Sequence, residues 1–564
     1  MICGATFILF LTLYSLALSS PTTKPKHGAK VGGVSSLDAR CSRVGTDMLR
    51  KGGNAVDAAI ATEFCVGLIG MYLVGIGGGG FAVVRNRHGR YEFVDFRESA
   101  PAASNETMFN SDPESSSKGG LARGYHSGVP GELRGLEYLH HNYGSLPWEE
   151  LVEPSITLAR QGFIVGRDLQ GIMDGVEDQS LFLSKAWRPD FAPTGSRIQA
   201  GDLMTRKRYA DFLCLIRDNG AQAFYSGKLA KQIVSAVQGE GGILTLKDLQ
   251  DYRVKSRPTV DLKFGQYRLV TSGAPSGGIV GLNILNTFQG YSKTDDPARI
   301  NLTTHRLDEA FRFGYGARAK LGDPDFVPGL EDYQKRLLAP ATAKEIRWRI
   351  LDDRTQPIEA YNPDGLESLE TPGTSHVSTA DASGMAVSLT STLNLVFGSQ
   401  LMIPETGLIM NNEMDDFSVP NRSNAFGFIP SPANFIRPGK RPLSSMSPYI
   451  VEYGHNKSLA LVIGGAGGSR IITSTVQGLL NILDRGMDAV SAVKEPRFHD
   501  QLVPNTMFFE YDFNNETRAS MIEKGHKAGW LDHGSDLQAV RRLPNGTFEA
   551  AGEPRQHDSG GFAV

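Results

Sequence analysis

From Phe64 to Val84 the chain runs for 21 residues without a charged side chain, and a stretch like that either crosses a bilayer or lies inside a protein core. Length alone permits a span. Seven of the 21 are glycine, however, five of them in the cluster Gly75-Ile76-Gly77-Gly78-Gly79-Gly80, and each glycine costs a helix about 1 kcal/mol relative to alanine. A backbone bend packed in a folded core is therefore expected, followed by a strand at Phe81-Ala82-Val83-Val84-Arg85. The cluster also satisfies G-x-G-x-x-G. A dinucleotide fingerprint follows a strand and opens a helix, whereas here helical residues precede it and the strand comes after, so nucleotide binding is set aside.

The chain has 564 residues, 40% of them hydrophobic, with 64 glycines, a composition that supports a large globular core. Lys and Arg number 58 against 61 Asp and Glu, for a net charge of −3 without a long block of one sign. No basic stripe is available for nucleic acid, and a small ligand is expected. Residues Ile2 to Leu18 are uncharged and end at Ala17-Leu18-Ser19, the pattern of a signal peptide over residues 1–19. The rival is a signal anchor on the outer cell surface, which needs a longer apolar run and basic residues on its cytoplasmic side. No Lys or Arg precedes Lys24. A secreted, extracellular protein is expected.

Removal of the leader takes Cys3 and leaves Cys41, Cys65 and Cys214. Ser36 to Cys65 reads as two amphipathic helices around Gly52-Gly53, with Val44, Met48, Val56 and Ile60 facing inward. Folding at that turn brings Cys41 beside Cys65, and a disulfide there is worth about 3 kcal/mol in the chain-entropy picture. Cys214, among Phe212, Leu213, Leu215 and Ile216, is expected to be a buried thiol. Asn-x-Ser/Thr acceptors at Asn105, Asn301, Asn421, Asn456, Asn515 and Asn545 agree with the secretory route.

Helices are expected over Glu132 to His141, Trp148 to Gln161, Asp202 to Asn219, Lys228 to Gln238, Thr245 to Tyr252 and much of 300–350, with a strand at Tyr267 to Gly273. Asp352 to Gly373, rich in Pro, Asp, Glu and Gly, reads as an exposed loop. A hairpin follows: Val377 to Ala380, the turn Asp381-Ala382-Ser383-Gly384, and Met385 to Thr390. Pairing centred on the turn sets residues opposite each other when their numbers sum to about 765, which places Thr374 opposite Ser391 and beside Thr392. Two hydroxyls then meet at the strand ends.

Threonine is a weak nucleophile unless a base adjoins it, and one solution makes it the first residue of a chain so that its own α-amine serves. That amine has a reference pKa of about 7.7–8.0, suited to a general base. Asn411-Asn412-Glu413-Met414-Asp415-Asp416-Phe417, after an apolar strand Gly407 to Met410, concentrates carboxylates and amides that suit an ammonium group. A metal there lacks a nearby His and the Ca²⁺-loop spacing. Arg441-Pro442-Leu443-Ser444-Ser445-Met446 offers hydroxyl donors for a carboxylate. The run Leu459 to Ile463 enters Gly464-Gly465-Ala466-Gly467-Gly468 and then a helix from Ser469 to Leu483, a strand-to-helix turn whose backbone N–H groups form an oxyanion hole.

Together with Gly52 to Ala59, Gly75 to Phe81, Phe96-Arg97-Glu98-Ser99-Ala100-Pro101, Gly128 to Glu132 and Gly373-Thr374-Ser375-His376, these segments resemble the γ-glutamyltranspeptidase (glutathione hydrolase) family of N-terminal nucleophile hydrolases. The resemblance runs from about Gly28 to the C-terminus. It implies an α+β fold, an αββα sandwich with two stacked antiparallel sheets between helical layers. It also implies self-cleavage between Gly373 and Thr374 into a large subunit (20–373) and a small subunit (374–564) that form one intertwined domain.

Carried onto this sequence, the family pattern makes Thr374 the nucleophile, supported by Thr392, with Gly467 and Gly468 holding the oxyanion. Arg97, Ser444 and Ser445 would take the substrate α-carboxylate, and Asn394, Glu413 and Asp416 its α-ammonium. The implied partners are glutathione and other γ-glutamyl compounds, with water, amino acids or dipeptides as acceptors. No cofactor, metal or nucleic acid is implied. Val396 departs from the family, which commonly has an aromatic residue there to cover the pocket, and Ser375 stands where Ala or Thr is usual. The alternative from another class is a secreted family member that has lost catalysis and acts by binding.

Overall fold

The alternating segments on either side of Thr374 pair into two stacked antiparallel sheets in the computed structural model, which describes residues 29–110, 123–292, 294, 296–367, 373–421, 429–532 and 534–564. The first sheet has the order Gly560–Ala563, Gly32–Ser36, Ser375–Asp381, Ala386–Thr392, Gly79–Arg85, Tyr91–Phe96, Lys255–Arg257. The second runs Phe548–Ala551, Asp536–Arg542, Leu459–Ala466, Tyr449–Tyr453, Tyr267–Ser272, Thr259–Phe264. Each sheet takes strands from both sides of Gly373. Neither segment could close its sheet alone.

Strand alternation divides the core into three layers. Val83, Ala380 and Ala386 of the first sheet meet Ile450, Val462 and Val540 of the second. On the outer face of the first sheet, Val377, Val387 and Leu389 pack under Val56, Ile60 and Phe64. On the outer face of the second, Tyr449, Leu461 and Ile463 pack under Ile472, Val476 and Leu479. The result is the expected αββα sandwich.

The opening helical pair is Ala39–Arg50 and Ala55–Ile69, with Cys41 and Cys65 joined at a Cα separation of 5.2 Å. Asn54 and Asp57 form a capping box on the second helix. That helix is buried on every side rather than amphipathic, because it lies between the first sheet and the helix Trp148–Gln161. The glycine-rich run does bend inside the core. A Cβ at Gly77 would lie 1.9 Å from the Ile409 carbonyl oxygen, and one at Gly78 1.9 Å from that of Thr392. Glycine is required there because this backbone passes directly against the end of the Thr374 hairpin.

Some boundaries differ from expectation. The helix expected from Asp202 begins at Lys207, because Leu203–Met204 instead pairs with Phe163–Ile164 and Arg206 is held by the Ala159 carbonyl at 2.9 Å. Gly407 to Met410 is not a strand and contributes only the bridge Met402↔Ile409. The second-sheet strand continues through Gly464 and Gly465 to Ala466, so only Gly467 and Gly468 form the turn. The loop before Thr374 is not wholly exposed: Tyr361 and Asn362 are buried, and Tyr361 donates to Glu309 at 2.7 Å. Residues 368–372 and the expected leader, residues 1–19, lie outside the described residues. Among the described residues no helix is long and apolar enough to cross a membrane. Cys214 is half-buried rather than core, with Arg160 donating to its sulfur at 3.3 Å.

His376 projects between the sheets, where its Nδ1 meets Thr390 Oγ1 at 2.8 Å and its Nε2 meets Ser378 Oγ at 3.0 Å. Burial pushes its pKa down to about 3. An unfolded histidine titrates near 6.5, so below that pH the unfolded chain takes up a proton that the folded chain refuses. This contribution to stability is complete above about pH 6.5 and drains by about 1.4 kcal/mol per pH unit as the pH falls toward 3. In a Thr374→Ala background, expected to stay one polypeptide, His376→Gln is expected to remove about one proton from the pH dependence of urea stability between pH 6 and 4. An unchanged slope would show that His376 is protonated in the folded protein.

Candidate active site

The hairpin carries the first two hydroxyls. Ser375 pairs with Ser391 and Ala380 with Ala386, a register sum of 766 rather than 765, because Asp381 faces Met385 across the turn and an odd number of residues lies between them. Extended by one step, that register sets Thr374 opposite Thr392 itself, so the two share a face of the sheet. Thr392 Oγ1 donates to the Gly373 carbonyl oxygen at 2.8 Å and accepts the Asn394 N–H at 2.7 Å. Thr374 Oγ1 accepts the Gly467 N–H at 3.0 Å. Both threonines are buried.

Gly467 reaches this position because the strand Leu459–Ala466 ends beside the hairpin and turns sharply. Gly467 and Gly468 take φ of +114° and +62°, conformations in which a side chain is strained. The helix Ile471–Leu483 starts just beyond, so its positive end lies toward the Thr374 hydroxyl.

The second half of the site is a buried charge cluster. Arg97, at the end of the strand Tyr91–Phe96, pairs with Glu413 and, at 2.5 Å, with Asp416. Both acids stand on the short turn Glu413–Asp416. Arg97 is anchored from behind: Asp95 accepts its N–H at 3.0 Å and also binds Arg257 at 2.7 Å and Arg441. Through Arg441 the same aspartate ties down the loop bearing Ser444 and Ser445. Met446 N–H bonds Ser444 Oγ at 3.2 Å, and among the described residues Ser445 Oγ has no hydrogen-bond partner. Neither serine hydrogen-bonds Arg97, Glu413 or Asp416 among the described residues.

The cluster holds more acid than base. Burial raises the Glu413 pKa well above the usual carboxylate range, more than Arg97 lowers it. Burial likewise lifts Glu98 to about 7. Burial works against the Arg97 cation too, but Glu413 and Asp416 outweigh it and hold the guanidinium protonated. Three carboxyls thus surround Arg97, Arg318 also acting on Asp416, and among the described residues Asp416 Oδ1 is buried without a hydrogen-bond partner. An ammonium group from a ligand would satisfy that excess. Asn394 connects the halves: its carbonyl oxygen would lie 2.3 Å from a Cβ on Gly373, while its Nδ2 donates to the Asn412 carbonyl at 3.1 Å.

A model of the γ-glutamyltranspeptidase family matches residues 41–563. The chain belongs to that family. A glutathione hydrolase proenzyme of Arthroderma benhamiae is 50% identical to it over 551 residues, covering 95% of this chain and 94% of the relative. A glutathione hydrolase of Aspergillus flavus is 44% identical, covering 100% and 95%, and a glutathione hydrolase proenzyme of Escherichia coli is 35% identical, covering 94% and 91%. Among solved structures, the cephalosporin acylase of Bacillus halodurans shares the fold with a TM-score of 0.83 at 24% identity, covering 98% of this chain and 99% of its own. The γ-glutamyltranspeptidase of Helicobacter pylori aligns with a TM-score of 0.54 at 30% identity, over 60% of this chain and 96% of its own.

The structure therefore groups Thr374, Thr392, Gly467 and Asn394 on one side and Arg97, Glu413 and Asp416 on the other. Family motifs alone left Glu63 unmarked and gave Glu132 no role. Glu63 accepts from Ser391 Oγ at 2.5 Å, and burial raises it to about 7. Burial also raises Glu132 well above its ordinary value. The signal for Glu63 was present as a lone acid in the otherwise apolar run Ile60 to Ile69. Asn105, Asn421, Asn456, Asn515 and Asn545 are exposed and Asn301 is half-buried.

Proposed function

We propose that this chain is a secreted glutathione hydrolase and γ-glutamyltransferase, made as a precursor that cuts itself between Gly373 and Thr374. The observation that carries the reading is the placement of one hydroxyl: Thr374 Oγ1 adjoins the Gly467 N–H, and the carbonyl it would attack is hydrogen-bonded by Thr392. In the precursor the Thr374 oxygen adds to the Gly373 carbonyl carbon. The C–N bond breaks as the hydroxyl proton passes to the departing nitrogen, leaving an ester. Water opens that ester, which frees the Gly373 carboxylate, the Thr374 hydroxyl and its α-amine.

The amine then acts as the base in turnover. It takes the hydroxyl proton as Thr374 attacks the γ-amide carbon of glutathione, and the oxyanion forms against the Gly467 and Gly468 N–H groups. The proton goes to the nitrogen of departing cysteinylglycine. Water, an amino acid or a dipeptide then takes the γ-glutamyl group. Arg97 with Ser444 and Ser445 holds the donor's α-carboxylate, and Asp416, Glu413 and Asn394 hold its α-ammonium. Requiring both free α-groups selects a γ-linked glutamate over one inside a polypeptide. Val396, half-buried where an aromatic cover is usual, favours water access to the acyl-enzyme. Secretion rests on the leader and the accessible glycosylation acceptors.

The test compares glutathione with its α-linked isomer Glu-Cys-Gly. Glutamate and cysteinylglycine are expected from glutathione alone, with γ-glutamyl dipeptide products when an acceptor is added. Equal cleavage of both isomers, or of neither, contradicts the reading.

A further inference from the structure

Two of the acids on the turn Glu413–Asp416 meet Arg97, and the third, Asp415, is held elsewhere. Its Oδ1 takes a hydrogen bond from His126 Nδ1 at 2.5 Å, and its Oδ2 accepts from Asn412 Nδ2 at 2.8 Å. Asn412 in turn grips the segment after Thr392. Its Oδ1 accepts the Leu395 N–H at 2.9 Å, its carbonyl accepts Asn394 Nδ2 at 3.1 Å, and its N–H donates to the Leu393 carbonyl at 3.1 Å. Asn394 sits at φ +76°, a left-handed conformation that external contacts must hold.

His126 is well placed to anchor this chain of contacts. It ends the turn Arg123–His126, on the other side of the Gly373–Thr374 bond from Asp415. Its ring is buried and stacks on Phe109 at 5.3 Å, with Tyr125 edge-on at 6.4 Å. Two residues on, Asn411 clamps Gly128 by its N–H at 2.9 Å and its carbonyl at 3.0 Å.

We propose that His126 is a positioning residue for the α-ammonium subsite: it turns Asp415 away from Arg97 and, through Asn412, fixes Asn394 and the acids that receive the donor's amine. This rests on the γ-glutamyl reading of the site. Without His126, Asp415 is free to swing toward a cluster that already has three carboxyls around Arg97, and Asn412 loses the acceptor that orients its amide.

The test uses the mature two-subunit enzyme with γ-glutamyl-p-nitroanilide and glutaryl-p-nitroanilide, which differ only in the α-amine. For His126→Ala, KM for the γ-glutamyl donor is expected to rise about 10-fold, the loss typical of a buried hydrogen bond to a charge. Its kcat should stay within about twofold, and glutaryl turnover should not change, so the preference for the amine-bearing donor falls by the same factor. His126→Asn, whose amide nitrogen can occupy the Nδ1 position, should stay within about threefold of the wild type. Equal loss on both donors, an unchanged preference, or Asn behaving like Ala would overturn the proposal. Should His126→Ala fail to fold, Asp415→Asn is read on the same two donors, and an unchanged preference there overturns it equally. A wild-type enzyme indifferent to the amine would instead overturn the γ-glutamyl reading of the site.

Discussion

Replacing Thr374 with alanine is expected to leave one uncut polypeptide and to lower γ-glutamyl amide hydrolysis by at least about 10⁴-fold, the scale of losing a nucleophile in related acyl-transfer chemistry. Both effects follow from one atom. Thr374 Oγ1 lies 3.0 Å from the Gly467 N–H, and in the proposed mechanism the same oxygen attacks first the Gly373 carbonyl and then substrate. Folding should survive, since the lost hydroxyl is one acceptor beside a flexible glycine turn and a single neutral hydrogen bond is worth about 1 kcal/mol. Thr374→Ser keeps the oxygen and should retain both reactions at reduced rate. Gel electrophoresis and chromophore release from a γ-glutamyl anilide read the two effects side by side.

The second large effect is expected at Arg97. Its two terminal nitrogens engage Glu413 and Asp416 separately, a fork that a lysine ammonium cannot reproduce. Arg97→Lys should lower kcat/KM for a γ-glutamyl donor by roughly 10²–10³-fold, mostly through KM, because on the proposed reading the α-carboxylate loses its partner and the acids their fixed geometry. Arg97→Ala goes further: it leaves Glu98, Glu413 and Asp416 buried without the guanidinium they share, which costs about 3–5 kcal/mol of stability. Steady-state kinetics on Lys and thermal unfolding on Ala separate the binding role from the structural one. Unchanged KM in the lysine variant would remove Arg97 from the substrate site.

What could be read from the sequence, and what could not, divides along physical lines. The hairpin, the two disulfide-linked helices and the buried glycine run were legible because strand alternation, apolar patterning and glycine density act locally. The register was missed by one residue since it depends on the loop's hydrogen bonding, where Asp381 N–H reaches the Met385 carbonyl at 3.0 Å. That single step matters, as it moves Thr392 from diagonal to directly opposite the Thr374 position. The assumed strand before Asn411 failed for a different reason. Met410 and Asn411 spend their N–H groups on Leu401 and Gly77 rather than on a ladder.

The motifs named the residues of the charge cluster but not its stoichiometry. That Arg97 is shared by Glu413 and Asp416 with Glu98 close behind follows from burial and three-dimensional approach, to which no spacing rule gives access. His126 and Asp415 lie 289 positions apart in sequence, and nothing local to either marks them as a pair.

N-terminal sequencing of the purified mature protein tests the central claim most directly. A second chain beginning Thr374-Ser375-His376-Val377, with a free amino group, is the result predicted. A fully active preparation made only of unbroken polypeptide would contradict it, because no threonine amine would then exist to accept the hydroxyl proton.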